Sequence, residues 1–148
     1  MADFSGVRLL VFRIGDLTCA AEAASVREIL SPQPATRVPG TREAVAGLIN
    51  VRGSLLTLVD GRRALGYAPA GEDGPIVLLD VGSRTVGFGV DEVVDLVAVS
   101  TGDLAQRDAL PGVDPAVVRA VGRRADLSFV LLDFDALLGP FFTRREEA

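Results

Sequence analysis

The 148-residue sequence contains no histidine and no lysine, and it has a single cysteine, Cys19. The absence of histidine removes the Ser-His-Asp arrangement, the usual general base and the commonest metal ligand. Without lysine, Schiff-base chemistry is excluded, and one cysteine without histidine cannot assemble a zinc site. No glycine pattern matches a phosphate-binding loop or a dinucleotide fingerprint. The sequence therefore predicts no catalytic residue, no metal site and no cofactor.

Other absences restrict the class of protein. Cys19 has no partner for an internal disulfide, which predicts a small core residue in a reducing compartment. The sequence shows no signal peptide and no apolar run of the ~18 residues that a membrane-spanning helix needs. The net charge is −5 and the arginines are scattered, so nucleic acid is not an expected partner. We expect a single cytoplasmic domain over residues 1–148, without insertion into a membrane.

Two segments of the chain resemble each other. Residues 56–66 (LTLVDGRRALG) and 129–139 (FVLLDFDALLG) both run from apolar, strand-like residues into an aspartate, Asp60 or Asp133. Each aspartate is placed to cap a short helix, and the glycine that closes each segment is placed to end it in a left-handed conformation. The pattern predicts two versions of one module, with a chance resemblance between two strand-to-helix junctions as the alternative.

The similarity extends upstream of these segments. Gly15-Asp16 and Gly82-Ser83 are both typical of two-residue hairpin turns. Residues 25–29 align with residues 92–96, and this alignment places the acidic residues Glu28 and Asp95 at the same position. Each half is therefore predicted to contain a hairpin, a further strand, a linker, a strand and a short helix. Strands this short favour a small all-β barrel in each half.

The run before Arg52-Gly53 is the most informative part of the chain. Residues 45–51 (VAGLINV) suggest a short helix that turns at Arg52-Gly53 directly into a buried strand ending at Asp60. Residues 67–75 and 106–114 are predicted to be irregular loops because they are rich in glycine, proline and acidic residues.

One catalytic arrangement deserves consideration. Asp60 and Asp133 occupy equivalent places in two related halves, as the two carboxylates of an aspartic-protease dyad do. Neither is followed by the Thr-Gly or Ser-Gly pair that orients such carboxylates. A hydrolase using this pair is kept as an alternative function. The acidic group Asp91, Glu92 and Asp95 is interpreted as a solvated face rather than a cation site.

The run 47–53 reads GLINVRG and precedes a strand that ends in Val59-Asp60. It resembles the signature of the CheW family of chemotaxis coupling proteins, which is Gly, two apolar residues, Asn, an apolar residue, Arg and Gly before a strand ending in Val-Asp-Leu-Arg. Further resemblances cover nearly the whole chain in order: residues 10–15, 26–30, 36–40, 86–93 and 133–139. Asp60-Gly61-Arg62 departs from the usual Asp-Leu-Arg.

The resemblance implies a mainly β fold of two small, five-stranded, SH3-like barrels packed around a shared apolar core, with a few short helices. It implies a non-enzymatic scaffold that couples chemoreceptors, the methyl-accepting chemotaxis proteins, to the regulatory domain of the histidine kinase CheA. Other CheW-like domains are further candidate partners. The expected location is the cytoplasm, at membrane-associated receptor arrays. The alternative within the family is an adaptor of a chemosensory pathway not devoted to motility.

The resemblance also implies site residues. Val26, Glu28 and Arg52 match positions associated with receptor contact, whereas no kinase-binding residue is assigned. Each has a structural alternative: a core strand residue for Val26, a solvated strand face for Glu28, and an internal salt bridge to Asp60 or Glu43 for Arg52. The structural members of the signature are Gly47, for close backbone approach, Asn50, for a local backbone hydrogen bond, Gly53, for a turn, and Asp60.

Overall fold

The computed structural model describes residues 6–106 and 114–141, which form eleven β-strands and two short α-helices. Most of the predicted loop at 106–114 lies outside the described residues, whereas residues 67–75 form the expected irregular loop. The strands are β1 Val7–Ile14, β2 Leu17–Glu22, β3 Val26–Leu30, β4 Val45–Val51, β5 Ser54–Asp60, β6 Ile76–Val81, β7 Arg84–Gly89, β8 Glu92–Val99, β9 Leu104–Gln106, β10 Val118–Arg124 and β11 Leu127–Leu132. The helices are α1 Gly61–Ala64 and α2 Phe134–Leu138.

The strands form two sheets, which confirms the predicted fold class. One sheet has the order β8-β1-β2-β11-β10-β9 and the other has the order β3-β6-β7-β5-β4. The short strand β9 gives the first sheet six strands, and the second has the expected five. Among the described residues, no helix is both long and apolar enough to cross a membrane.

The two halves of the chain exchange their first hairpins. The hairpin β1-β2 joins the later strands β8, β10 and β11, and the hairpin β6-β7 joins the earlier strands β3, β4 and β5. The prediction of one barrel in each half is therefore wrong, because each sheet is built from both halves. The exchange requires parallel pairing between strands distant in sequence, β2 with β11 and β5 with β7, which local sequence patterns do not specify.

The strand registers shift at positions that the sequence similarity places in correspondence. A register shift falls between Val26 and Glu28 where β3 pairs with β6, and the corresponding pairing of β8 with β1 shifts beside Asp95. The hairpins β4-β5 and β10-β11 also shift at corresponding places, after Val45 and after Val118. Bulges at matching sites in both sheets are the repeated features expected of two copies of one module.

Residues 45–51 form strand β4 rather than the predicted helix. Burial alternates along β4, and the strand pairs with β5 as an antiparallel hairpin through its length. The alternation of Val45, Gly47, Ile49 and Val51 on the buried side fits the two-residue repeat of a strand. The turn at Arg52-Gly53 is located as predicted, but it joins two strands.

The described residues form three apolar clusters. The largest lies between the sheets and contains residues from both, including Phe12 from β1 and Phe88 from β7. A second cluster belongs to the six-stranded sheet and a third to the five-stranded sheet. Each sheet therefore packs its own cluster on one face and shares the central cluster on the other.

Both aspartates cap their helices as the sequence predicts. Asp60 accepts a hydrogen bond from the backbone N–H of Arg62, and Asp133 accepts one from Ala136. Gly66 follows α1 with φ +88°, the left-handed conformation expected of a closing glycine. Gly139 differs, with φ −50°, because the chain continues after α2 into a 3-10 turn, Gly139–Phe141. The predicted left-handed end at Gly139 is therefore wrong.

Candidate functional site

Arg52 lies in the turn between β4 and β5, the segment that the sequence singles out. Arg52 has φ +50° and Gly53 has φ +91°, so both residues adopt the left-handed backbone of a two-residue hairpin turn. The side-chain oxygen of Asn50 accepts a hydrogen bond from the Gly53 N–H at 2.9 Å. This local bond fixes the turn and holds Arg52 at its tip.

Arg52 forms a two-point ion pair with Glu28 on β3. Nη2 of Arg52 lies 2.5 Å from Oε1 of Glu28, and Nη1 lies 3.2 Å from Oε2. Strand β3 stands at one edge of the five-stranded sheet, and the β4-β5 hairpin stands at the other. The ion pair therefore spans the two edges of one sheet and helps to close it.

A backbone bridge closes the same sheet at another place. Thr36, which follows β3, exchanges two hydrogen bonds with Leu48 on β4, at 2.8 and 2.9 Å. Gly47 makes this approach possible. A Cβ at position 47 would lie 2.2 Å from the carbonyl oxygen of Thr36, and the φ of Gly47 is +144°.

The ion pair is accessible from solvent. The Arg52 side chain is 70% exposed and the Glu28 side chain 35%. The hydrogen bond from Arg52 lowers the pKa of Glu28, and partial desolvation opposes that shift. The same hydrogen bond raises the pKa of Arg52, so both groups are charged at neutral pH.

The internal partner of Arg52 is neither Asp60 nor Glu43, the two residues that the sequence suggests. Arg63 pairs with both of those residues, with Glu43 at 2.6 Å and with Asp60 at 3.5 Å. The sequence predicts Glu28 only as a separate receptor contact or as a solvated side chain, and not as the partner of Arg52. The structure therefore brings two of the three predicted contact residues together as one unit.

Val26 occupies a less exposed position. It begins β3, is half-buried and packs against the central cluster between the sheets. Val26 is therefore partly a core residue, as its structural alternative predicts. It remains partly exposed, beside the register shift in β3.

The sequence reasoning missed several exposed apolar side chains. They belong to β3, to β5 beside the Arg52 turn, and to β8: Ile29 at 45% exposure, Leu55 at 65%, Val94 at 41% and Leu96 at 48%. Ile29 and Leu96 hold equivalent places on the edge strands of the two sheets. The sequence did contain a signal for them. These strands have apolar residues at successive positions, and therefore on both faces, whereas a strand that buries one face needs apolar residues only at every second position.

A cavity lies beside the ion pair. It has a volume of about 280 Å³, and the apolar residues Val51, Leu56 and Leu78 are part of its lining. Arg27, Arg52, Ser54 and Thr85 complete its lining. A small apolar group of a partner would fit such a depression, with charged and hydroxyl groups at its rim.

The structure contradicts the pairing that the hydrolase alternative needs. Asp60 and Asp133 line two different cavities. Each carboxylate accepts a hydrogen bond from the backbone of its own helix, as a cap does. The acidic group interpreted as a solvated face is partly engaged in internal ion pairs, since Asp91 pairs with Arg62 and Glu92 with Arg13.

Comparison with known proteins decides the family. The family model described as "CheW-like domain" matches residues 8–140. The chain belongs to the CheW family. The resemblance inferred from the GLINVRG signature is thereby confirmed.

Individual CheW relatives cover different parts of the chain. The chemotaxis protein CheW of Rhizobium meliloti (strain 1021) is 39% identical over 101 residues, which are 67% of this chain and 65% of the relative. The probable chemotaxis protein CheW of Rhizobium etli is 37% identical over 94 residues, or 62% of this chain and 61% of the relative. The chain therefore covers less than two thirds of either protein. The Klebsiella aerogenes protein is 26% identical over 143 residues, covering 90% of this chain and 82% of its own.

A solved CheW structure has the same fold. The crystal structure of scaffolding protein TtCheW from Thermoanaerobacter tengcongensis superposes with a TM-score of 0.82 at 20% identity, over 88% of this chain and 91% of that one. The departure from the CheW signature at Gly61 also has a structural reason here. A Cβ at position 61 would lie 2.4 Å from the carbonyl oxygen of Gly89, so this chain leaves no room for a leucine there.

Proposed function

We propose that this chain is a non-enzymatic adaptor that couples chemoreceptors to the histidine kinase CheA. The supporting observation is the CheW family match over residues 8–140, which includes the whole signature from Gly47 to Asp60. Its relatives are named chemotaxis proteins, and the similar solved structure is named a scaffolding protein. A scaffold acts by holding two partners, and it needs exposed contact surfaces rather than a reaction centre.

The receptor contact is assigned to Val26, Glu28 and Arg52. The ion pair holds the Arg52 guanidinium in one orientation above β3, so little side-chain entropy is lost on binding. The guanidinium has five N–H donors, and two are used by Glu28, which leaves donors for a carboxylate or carbonyl of the receptor. Half-buried Val26 and exposed Ile29 would add apolar contact along β3.

The remaining parts of the assignment follow from the family. The partners are the regulatory domain of CheA and the cytoplasmic tips of receptors, with other CheW-like domains as further candidates. The location is the cytoplasm, at receptor arrays, and residues 1–148 act as one domain of two related β-subdomains. Kinase-facing residues stay unassigned. An adaptor of a non-motility chemosensory pathway would have the same chemistry, and the identity of the neighbouring genes would distinguish it.

The test is reversal of the charge of Arg52. Arg52→Glu should weaken binding to a purified receptor signalling fragment by more than about tenfold, because it loses donors and places two like charges together. Arg124→Glu is the matched control, an exposed arginine beside the corresponding hairpin turn of the other sheet. Equal binding by wild type and Arg52→Glu, with both folded, would refute the assignment.

A further inference from the structure

Asp91 is fastened to the six-stranded sheet. It lies between β7 and β8, where the chain passes from the five-stranded to the six-stranded sheet. Its backbone N–H donates to the carbonyl of Arg13 on β1 at 2.9 Å. Its carboxylate accepts a hydrogen bond from the N–H of Gly15, in the β1-β2 turn, also at 2.9 Å. Backbone and side chain are thus both held by one hairpin.

Arg62 is fastened to the five-stranded sheet. It lies in the first turn of α1, directly after β5, and its N–H donates to the cap Asp60 at 3.1 Å. The Arg62 guanidinium donates two hydrogen bonds to the Asp91 carboxylate: Nε lies 2.9 Å from Oδ1, and Nη2 lies 2.7 Å from Oδ2. The two side chains are only 27% and 21% exposed. This bidentate pair therefore joins one sheet to the other.

Tyr67 makes a second connection in the same direction. Its backbone N–H donates to the carbonyl of Arg62 at 2.7 Å, so it belongs to the end of α1. Its hydroxyl donates to Asp16 in the β1-β2 turn at 3.1 Å, and its ring lies against Gly15, 3.1 Å from the position of an added Cβ. The end of α1 thus contacts the β1-β2 hairpin directly through the Tyr67 hydroxyl and ring, and indirectly through the ion pair of Arg62 with Asp91.

The corresponding junction at the other copy of the module is different. Asp135 stands at the place of Arg62, and Phe134 stands at the place of Gly61. The Phe134 ring packs on Phe12 and Phe88, with centroid distances of 6.4 and 5.2 Å. These Phe134 contacts at that junction are apolar and non-directional, whereas the Arg62 junction contains a bidentate ion pair.

We propose that Arg62, with Asp91 and Tyr67, is a positioning element that fixes the angle between the two sheets and thereby couples the adaptor's two partners. This inference rests on the proposed adaptor function. An adaptor whose partners contact different parts of two sheets transmits a change only if the sheets keep a fixed orientation. Packing alone is non-directional, whereas a bidentate pair resists rotation.

The experiment compares Arg62→Gln with Arg63→Gln. Both remove one positive charge from α1, but the partners of Arg63, Glu43 and Asp60, lie on the five-stranded side only. Backbone N–H residual dipolar couplings are measured for β1, β2 and β11 and for β5, β6 and β7. We expect one alignment tensor to fit both sheets in the wild type and in Arg63→Gln, and two unequal tensors to be needed in Arg62→Gln.

The functional arm uses the receptor signalling fragment and the CheA regulatory domain. We expect Arg62→Gln to bind each fragment alone within about twofold of wild type. The effect of one fragment on the affinity of the other should fall by about fivefold or more. Tyr67→Phe keeps the charge and the ring, so it should show the same change in smaller degree, and it serves if Arg62→Gln does not fold.

The outcomes separate the two hypotheses. A folded Arg62→Gln with a single tensor and unchanged coupling would overturn the positioning role. If wild type binds neither fragment, the adaptor function fails, while the dipolar couplings still decide whether the pair sets the angle between the sheets.

Discussion

The guanidinium of Arg52 and the carboxylate of Glu28 face each other through two hydrogen bonds, from the tip of the β4-β5 hairpin to the edge strand β3. Two residues assigned to receptor contact are thus also partners in closing the five-stranded sheet. A substitution at either site changes the partner as well as the residue. Binding experiments at this site therefore need a readout of the ion pair itself.

That readout is the pKa of Glu28. The hydrogen bond from Arg52 holds this pKa below the ordinary value of 4.5. We expect Arg52→Gln to raise it, as followed by carboxyl chemical shifts in an NMR pH titration. A pKa that stays depressed in the variant would show that Arg52 is not the cause.

The same pair gives stability a defined dependence on pH. A depressed carboxylate pKa favours the folded state at pH above the unfolded value and loses that contribution as pH falls through the folded value. The unfolding free energy of wild type should therefore exceed that of Arg52→Gln at neutral pH, with the difference disappearing in acid. The check is a series of urea titrations, in which a difference independent of pH would contradict it.

The Cys19 thiol should not react with thiol reagents in the folded protein. Burial raises its pKa from 9.0 to about 12, and the residue has no exposed surface. We expect a thiol reagent at pH 8 to react with Cys19 only after addition of denaturant. The unfolded thiol ionises first as pH rises, so this residue should also lower the unfolding free energy above about pH 9. Rapid labelling of the native protein would refute the assignment of Cys19 to the core.

Gly47 should tolerate no side chain. Its φ of +144° and the 2.2 Å approach of the Thr36 carbonyl oxygen both oppose a Cβ. We expect Gly47→Ala to lower the unfolding free energy by more than about 2 kcal/mol in urea titrations. Gly71→Ala is the control, since nothing lies within 4 Å of its Cβ position, and it should change stability by less than about 0.5 kcal/mol. Equal stability of the two variants would contradict the close approach.

Gly61 gives a test against the family pattern. Gly61→Leu restores the common Asp-Leu-Arg, yet its Cβ would lie 2.4 Å from the Gly89 oxygen and 2.9 Å from Ile14. We expect this return to the common residue to lower the melting temperature, because backbone must move to accept it. An unchanged or raised melting temperature would show that β5 and β7 separate without cost.

Local chemistry in the sequence predicted local structure well. Asp60 and Asp133 cap their helices, and the turns at Gly15 and Gly82 join hairpins, because each depends on residues within a few positions. The error at residues 45–51 arose where an apolar run fits both a helix and a strand, and only pairing with β5 decides between them.

Contacts between distant segments were not predictable in the same way. The exchange of hairpins depends on parallel pairing of β2 with β11 and of β5 with β7. The pairing of Arg52 with Glu28 depends on closure of a sheet in which β6, β7 and β5 stand between the edge strands β3 and β4. The family resemblance identified both residues, but their joint geometry required the fold.

The central claim is that this chain joins a receptor to a kinase. The most direct measurement is sedimentation of CheA with vesicles that contain the receptor, as purified wild-type chain is added. The account predicts that CheA remains in the supernatant without the chain and sediments in proportion to it, up to saturation. Sedimentation of CheA that does not depend on the chain, or a chain that stays in the supernatant with both partners present, would contradict it.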